Sequence, residues 1–434
     1  MISLTKNAVN NIILGVLVIV LVYLFFQRDI LDNSVSPWMF ALPLWIYMVC
    51  VPYEYIAYSV ALIFPLSFGL STGYIYLLAI VLLIIKGKKY DLRSLSFVLA
   101  IIILEFLHYP FYTFNPDVQL GSYINYFSSI FFLAFFFNNV DRKVDPSLFA
   151  LSFCVGTAIL TGFIVWHTAT LDVSTILSGN VRIGDEAIND TIYEEGTVYL
   201  RANANSLAYY SIASISMLVV LMFRKSVNRI FALLLIIVCA FGGLLTISRT
   251  WLLSAALMVF LFLLPYRRNK WTFLIFVLLL ALFVYVVQVY LVDVTDRFSA
   301  RFDSGDMATG GNRTDLFSEY NKRLFEDSSL LIFGGGAFFY RTVFNIWNST
   351  HNAIQQIFVC YGIVGGVLLL TPFVSKVVKH YNAKKGSFIY IIPMIMCVVF
   401  LQTLQILNPW QMMYPLIPAF LIMTMSKEES IRVK

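Results

Sequence analysis

The chain has 434 residues, of which 60% are hydrophobic and only 12% are charged, and its mean hydropathy is +0.81. Soluble globular domains carry about twice this share of charged residues, so the composition excludes a soluble globule and indicates an integral membrane protein. The net charge of +6 comes largely from basic residues in short loops between apolar runs, which argues against a nucleic-acid-binding surface.

Apolar runs long enough to cross a bilayer, which takes roughly 17 to 25 residues, follow one another along the chain. They predict an all-α polytopic membrane protein with about 12 to 14 transmembrane helices. Transmembrane helices are predicted within residues 1–168, 205–292 and 352–434, separated by loops at 169–204 and 293–351. Single spans are predicted at 11–27, 94–109, 120–137, 147–167, 205–223, 230–247, 251–265, 271–292, 352–375, 387–407 and 410–425, with three more within 37–85.

The positions of the basic residues predict the orientation, because cytoplasmic loops retain Lys and Arg. Assigning alternate loops to the inside places 20 of the 30 basic residues there. Both termini are therefore predicted to be cytoplasmic and residues 293–351, the long loop, to lie outside. The first apolar run follows Lys6 as a signal peptide would, but Gln27-Arg28-Asp29 offers no small-residue cleavage site. We expect it to remain as a helix.

Metal and cofactor chemistry find little support in the sequence. The five cysteines form no CxxC pair, so neither a zinc site nor a disulfide framework is indicated. No Asp-x-Asp occurs either, which disfavours a glycosyltransferase that uses a metal and a nucleotide sugar. We expect no metal and no cofactor.

The ten basic residues of the outside loops are almost all arginine. Arginine binds phosphate and carboxylate through two parallel hydrogen bonds, so the set favours a large anionic ligand on the outer face. The alternative is that these arginines pair with outside acids such as Asp185 and Glu194. The set consists of Arg28, Arg182, Arg201, Arg249, Arg297, Arg301, Arg313, Arg323 and Arg341, with Lys322 as the single lysine.

Two of these arginines stand at predicted helix borders. Ser248-Arg249 joins two apolar runs with almost no loop, where desolvation would strengthen the binding of an anion; the alternative is that Arg249 reaches lipid phosphates. Arg201 and Asn205 lie at the outer start of a helix, where free backbone amides also favour anions. There the alternative is that Asn203 or Asn205 caps the helix.

The long loop contains a third candidate arginine and a short helix. Arg313 follows a Gly pair and opens a stretch with helical spacing at residues 314–325, and its alternative role is to pair with a nearby acid. The helix is predicted either to lie along the membrane surface or to belong to a soluble cap that packs on itself. In both cases its apolar face would consist of four residues: Leu316, Tyr320, Leu324 and Phe325. A Gly turn at Gly334-Gly335-Gly336 lacks the context of a phosphate-binding motif, so a flexible turn is favoured.

His351 and Asn352 end the long loop at the start of a helix with a polar first turn. An imidazole at this border can take a proton from a sugar hydroxyl near neutral pH. The alternative is a purely structural role. His351 is therefore the candidate general base, and Asn205 and Asn352 are candidate substrate-binding residues.

The order of these features resembles the O-antigen ligase and O-antigen or capsule polymerase (Wzy-type) superfamily of bacterial envelopes. The resemblance spans residues 200 to 366, from the helix start through Ser248-Arg249 and the long loop to a Tyr361–Gly366 motif. One departure is that Ala204-Asn205 stands where the family has Pro-Asn.

The resemblance implies a GT-C-like, metal-independent inverting glycosyltransferase in the bacterial inner membrane. Its substrate would be a glycan on undecaprenyl diphosphate at the periplasmic face, with Arg201, Arg249 and Arg313 binding the diphosphate and His351 acting as base. Membrane lipid, a chain-length regulator and a flippase are the implied partners, and no nucleic acid is expected. We interpret the chain as a polymerase; the alternatives are a ligase that transfers polymer to lipid A-core and, in another class, a lipid-linked oligosaccharide flippase.

Overall fold

The computed structural model describes residues 6–66, 72–86, 93–107, 126–128, 144–177, 204–223, 225–246, 248–263, 313–346, 348, 350 and 352–383, with isolated positions at 274, 281, 285 and 396. These residues are mainly helical, and no strand occurs among them. The prediction of an all-α protein is confirmed for this part of the chain.

Thirteen helices are described. Before the long loop they are α1 (Lys6–Asp29), α2 (Pro37–Cys50), α3 (Tyr53–Ile63), α4 (Thr72–Lys86), α5 (Arg93–Leu107), α6 (Pro146–Leu177), α7 (Ala204–Phe223), α8 (Arg229–Leu245) and α9 (Arg249–Leu263). Within the long loop and after it they are α10 (Arg313–Glu326), α11 (Ser328–Phe333), α12 (Tyr340–Phe344) and α13 (Ala353–Ala383).

Among the described residues, three helical segments are long and apolar enough to cross a membrane: Lys6–Asp29, Ser147–Trp166 and Ala204–Phe223. Shorter apolar segments occur in α2, α4, α8, α9 and α13. The membrane character predicted from composition is confirmed at this level. The predicted spans at 120–137, 271–292, 387–407 and 410–425 lie outside the described residues apart from isolated positions, so the count of 12 to 14 crossings stays a prediction.

Helix α6 continues to Leu177, into the loop predicted at residues 169–204. Its apolar part, Ser147–Trp166, agrees with the predicted span, so the border of the loop at residue 169 stays a prediction. No Gly or Pro occurs between Trp166 and Gly179, so nothing in the local chemistry ends the helix at the predicted border. The rest of that loop, residues 178–203, lies outside the described residues.

The core is built by α6, α7 and α8, with α3 packed on α6 and α9 on α7. Small residues allow these helices to approach closely, as is common in membrane bundles. A Cβ atom at Gly156 of α6 would overlap the carbonyl of Leu62, and one at Gly242 of α8 would overlap Thr161. The α7 helix is the most enclosed of the three long apolar segments, because 83% of its apolar window is buried.

Three contacts gather helix ends at one end of the bundle. Lys86 Nζ, at the end of α4, donates to the carbonyls of Met48 (2.8 Å) and Val49 (2.7 Å) at the end of α2. The Tyr55 hydroxyl of α3 donates to Asn11 Oδ1 of α1 (2.6 Å). The Asp145 amide, just before α6, donates to the Tyr58 hydroxyl (2.7 Å). All of these segments adjoin loops that the charge distribution assigns to a single side.

The long loop packs against α5 and α13. Its helices α10 and α11 contact α13, and its Gly turn contacts Glu105 near the end of α5. Within these two helices, the long loop contacts the end of α5 and the first third of α13, away from the basic residues at the start of α5 and in the second half of α13.

Candidate functional site

Arg249 is the first residue of α9, and the preceding and following residues fix its backbone. Ser248 is buried, and its Oγ accepts a hydrogen bond from the Trp251 amide (3.4 Å). The Trp251 indole Nε1 donates to Ser211 Oγ of α7 (2.9 Å), which in turn donates to the carbonyl of Cys239 in α8 (2.6 Å). These bonds connect the start of α9 to two neighbouring helices.

The packing around Trp251 depends on a glycine in α8. A Cβ atom at Gly243 would overlap both Trp251 Nε1 and Ser211 Oγ. The helix α8 ends two residues later, and its C-cap Thr246 donates through Oγ1 to the Gly243 carbonyl (2.6 Å). The prediction that Arg249 lies between two apolar helices with almost no loop is thus confirmed. Its side chain is partly buried.

Asn205 is the second residue of α7, whose first turns pack against α9. Because Ser211 of α7 bonds to Trp251 of α9, the N-terminal parts of the two helices adjoin, and Asn205 and Arg249 lie at the same end of the bundle. Asn205 is partly buried. Arg201 lies outside the described residues.

The predicted amphipathic helix of the long loop is confirmed as α10, which begins at Arg313. Tyr320 and Leu324 are buried, whereas Phe325 is 72% exposed, so Phe325 does not belong to the inward face. The Tyr320 ring packs against Phe344 of α12 with centroids 5.5 Å apart. The inward face of α10 thus packs on the rest of the loop, and the position of the helix relative to the membrane surface stays a prediction.

Hydrogen bonds connect α10 to both sides of His351. The Tyr320 hydroxyl donates to the carbonyl of Asn348 (2.7 Å), and burial raises the pKa of Tyr320 above its ordinary value, so the hydroxyl keeps its proton. On the other side, Gln355 Nε2 donates to the carbonyl of Phe317 (2.8 Å) and to Asn321 Oδ1 (3.1 Å). Asn348 precedes His351 by three residues and Gln355 follows it by four.

Asn352 is the N-cap of α13. Its Oδ1 accepts hydrogen bonds from the amides of Ile354 and Gln355, both 3.0 Å. This oxygen is occupied by capping, so only the amide nitrogen of Asn352 is left for the predicted contact with substrate. Thr350 is buried, and its hydroxyl donates to the Asn352 carbonyl (3.4 Å). His351 itself and the Arg313 side chain lie outside the described residues.

The Gly334–Gly336 turn has no free amide with which to bind phosphate. The Gly334 amide donates to Leu330 (2.8 Å), the Gly335 amide to Val359 (2.8 Å) and the Gly336 amide to Cys360 (2.7 Å). In the structure the turn is packed against α13, whereas the sequence favoured a flexible turn. A Cβ atom at Gly334 would overlap the backbone of Cys360 and Tyr361.

Sequence reasoning missed Glu105, a buried carboxylate in the apolar helix α5. Its Oε2 accepts the amide of Ala337 (2.8 Å) and its Oε1 that of Phe338 (3.2 Å). A carboxylate within an apolar run is costly unless it has partners, so a lone acid in such a run is a signal that the sequence does contain. Beside it, the hydroxyls of Tyr126 and Tyr361 form a hydrogen bond.

In the part of the chain that the structure describes, Arg28 and Arg323 pair with acids, as the alternative interpretation held. Arg28 Nε lies 2.6 Å from Asp29 Oδ1, and both residues are buried. Arg323 lies 3.2 Å from Glu319 on the exposed face of α10. The guanidinium of Arg341 lies 6.0 Å from the Tyr340 ring centroid. Arg182, Arg297 and Arg301 lie outside the described residues.

The structure thus arranges the candidate residues in two groups. Asn205 and Arg249 lie on α7 and α9, whose first turns adjoin, and Arg313 and Asn352 lie on α10 and α13, which are joined through Gln355. Comparison of the sequence with protein-family models and with curated proteins finds no match.

Proposed function

We propose that the chain is a polymerase of a bacterial surface polysaccharide, O-antigen or capsule, that acts on undecaprenyl-diphosphate-linked glycans at the periplasmic face of the inner membrane. The main observation in support of the proposal is the hydrogen bonding between α10 and the segment around His351. Tyr320 bonds to Asn348 and Gln355 bonds to Phe317, so α10 is held to the chain on both sides of the candidate base, which supports a shared role of the two segments.

The geometry of α10 supports cooperation between Arg313 and this segment. Phe317, which bonds to the first turn of α13, is four residues from Arg313, or about 6 Å along a helix that rises 1.5 Å per residue. An arginine side chain bridges a distance of this order. A diphosphate bound near Arg313 would therefore lie close to a sugar hydroxyl that contacts His351.

In the proposed reaction, His351 removes the proton of an acceptor hydroxyl on a lipid-linked repeat unit. The hydroxyl oxygen forms a bond to the anomeric carbon of the growing chain as the bond from that carbon to the diphosphate oxygen breaks. The configuration inverts, and undecaprenyl diphosphate leaves with the bonding electrons. Arg201, Arg249 and Arg313 stabilise the charge that develops on the diphosphate, and Asn205 and Asn352 contact the substrate.

The glycan profile of a deletion strain tests the proposal. Loss of a polymerase leaves single repeat units attached to lipid A or to the lipid carrier. Polymer without attachment to lipid A would instead identify a ligase, and lipid-linked units that accumulate in the cytoplasm would identify a flippase. A wild-type profile would contradict all three functions.

A further inference from the structure

We propose that residues 328–338 of the long loop are a re-entrant hairpin, which enters the bilayer beside α13 with the side chains of Ile332 and Phe333 in contact with lipid acyl chains. The inference rests on packing, polarity and backbone hydrogen bonding, and it does not depend on the proposed enzymatic function.

The position of the hairpin tip along α13 indicates its depth. A Cβ atom at Gly362 would overlap the backbone of Ile332 and Phe333, so the end of α11 lies directly against this glycine, where α13 departs from helical geometry with φ +59°. Gly362 lies nine residues after Ala353, or about 14 Å along the helix axis. Half of the hydrocarbon core is about 15 Å thick.

The surface of α13 indicates that the bilayer begins near the start of this helix. Its exposed apolar positions begin in the first turn with Ile354, which is 44% exposed, and continue with Ile363 at 45% and Val367 at 58%. Ile332 and Phe333, each 42% exposed, adjoin Gly362 and thus extend the same apolar surface. Acyl chains that cover α13 at this level would also cover the hairpin.

The polarity of the hairpin follows the expected depth. It begins with the exposed residues Ser328 and Ser329 and reaches exposed Ile332 and Phe333 at its tip. After the turn, the exposed side chains are polar again from Arg341 onwards. A segment that enters a membrane and returns to water would show this polar, apolar, polar order, whereas a cap in water has no reason to place its apolar exposed side chains at the tip.

The amides of the hairpin turn meet a requirement of the membrane interior. Non-helical backbone is tolerated at that depth only where protein or enclosed water satisfies its polar groups. The amides of residues 334–336 donate to the carbonyls of Leu330, Val359 and Cys360. The next two amides, of residues 337 and 338, donate to the buried carboxylate of Glu105. Every amide of the turn therefore has a partner within the protein.

Site-directed spin labelling of the full chain in liposomes tests the proposal. Single cysteines are introduced by Ile332→Cys and Phe333→Cys into a Cys50→Ser parent, since Cys50 is exposed, and the parent alone gives the background. Ile363→Cys on α13 is the lipid-facing reference, and Lys322→Cys, whose side chain is 74% exposed, is the aqueous reference. Relaxation by oxygen reports contact with lipid, and relaxation by a water-soluble nickel chelate reports contact with water.

We expect labels at positions 332 and 333 to show the high ratio of oxygen to nickel accessibility found at position 363. A ratio like that of position 322 would place the hairpin in water and overturn the proposal. Low accessibility to both reagents would mean that protein covers these side chains, which would also overturn it. Because all four positions are exposed, the substitutions leave the packed interior unchanged, and size-exclusion profiles of the labelled proteins check their folding.

Discussion

Arg249 and Arg313 are each the first residue of a helix that other contacts hold in place. For Arg249 the neighbouring Trp251 is bonded into α7, and for Arg313 the helix α10 is bonded to α13 through Gln355. A guanidinium on such a fixed backbone costs no further backbone freedom when it binds an anion through two parallel hydrogen bonds. Lysine has the same charge but cannot reproduce this planar geometry.

Arg249→Lys and Arg313→Lys are therefore expected to lower polymer formation at least about tenfold each, since a hydrogen bond to a charged group contributes about 1.5 to 3 kcal/mol. Polymer length and amount on gels, at matched protein abundance, provide the measurement. Arg323→Lys is the matched control, because Arg323 pairs with Glu319 on the exposed face of α10. Near-normal polymer from the first two variants would show that their guanidinium groups do not bind the diphosphate.

At the scale of helices, Glu105 connects α5 to the turn of the long loop. Glutamine at this position keeps the shape of the side chain, but its amide nitrogen is a donor and cannot accept the second backbone amide. One of the two amides of Ala337 and Phe338 then loses its acceptor. A buried donor without an acceptor costs about 1 to 3 kcal/mol.

Glu105→Gln is expected to lower the thermal stability of the purified protein and to increase proteolysis within residues 328–346. Thermal stability and proteolysis are both measured on the protein in nanodiscs. Glu54→Gln is the control, because Glu54 is a partly exposed acid in the first turn of another helix, α3. Equal effects of the two substitutions would contradict a role of Glu105 in holding the turn.

The helices were predictable where a local pattern determines them. Apolar runs predicted the transmembrane helices, the spacing of Tyr320 and Leu324 predicted α10, and the junction of two runs predicted the helix border at Arg249. The contact of Glu105 with Ala337 spans 232 residues of sequence, and no local pattern encodes the partner. No local pattern predicts the bend of α13 at Gly362 either, where α11 approaches the helix. Spacing alone also could not assign Phe325 to the outward face of α10.

The candidate site was only partly predictable, because its assembly also depends on contacts between distant parts of the chain. Residue chemistry indicated His351 and the arginines, but the way in which α10 reaches both sides of His351 depends on a tertiary contact through Gln355. Capping by Asn352 was not expected, although an Asn before an apolar run is a common N-cap. The sequence thus indicated which residue types matter, and the fold determines which of them share one structural unit.

At the scale of the molecule, the contacts of Lys86, Tyr55 and Asp145 gather the lysine- and arginine-rich loops at one end. The long loop packs beside the end of α5. The assignment of the long loop to the other side of the membrane rests on the charge distribution and stays a prediction. The charge bias adds the prediction that the basic end faces the cytoplasm.

Cysteine labelling checks this orientation. In cells with a permeabilised outer membrane and a Cys50→Ser background, Lys322→Cys should react with a membrane-impermeant maleimide. Ser226→Cys, an exposed position in the basic loop between α7 and α8, should react only after the inner membrane is broken. The reverse pattern would place the long loop in the cytoplasm and remove the periplasmic site.

The most direct test of the central claim is a reconstituted polymerisation assay with lipid-linked repeat units and His351 variants. A general base contributes typically 10² to 10⁴-fold to a rate, so His351→Ala and His351→Gln should both lose about this much while they remain folded and inserted. His380→Gln, which changes a histidine in a predicted cytoplasmic loop, is the matched control and should polymerise normally. A His351→Gln variant that polymerises at the wild-type rate would contradict the assignment of His351 as the base.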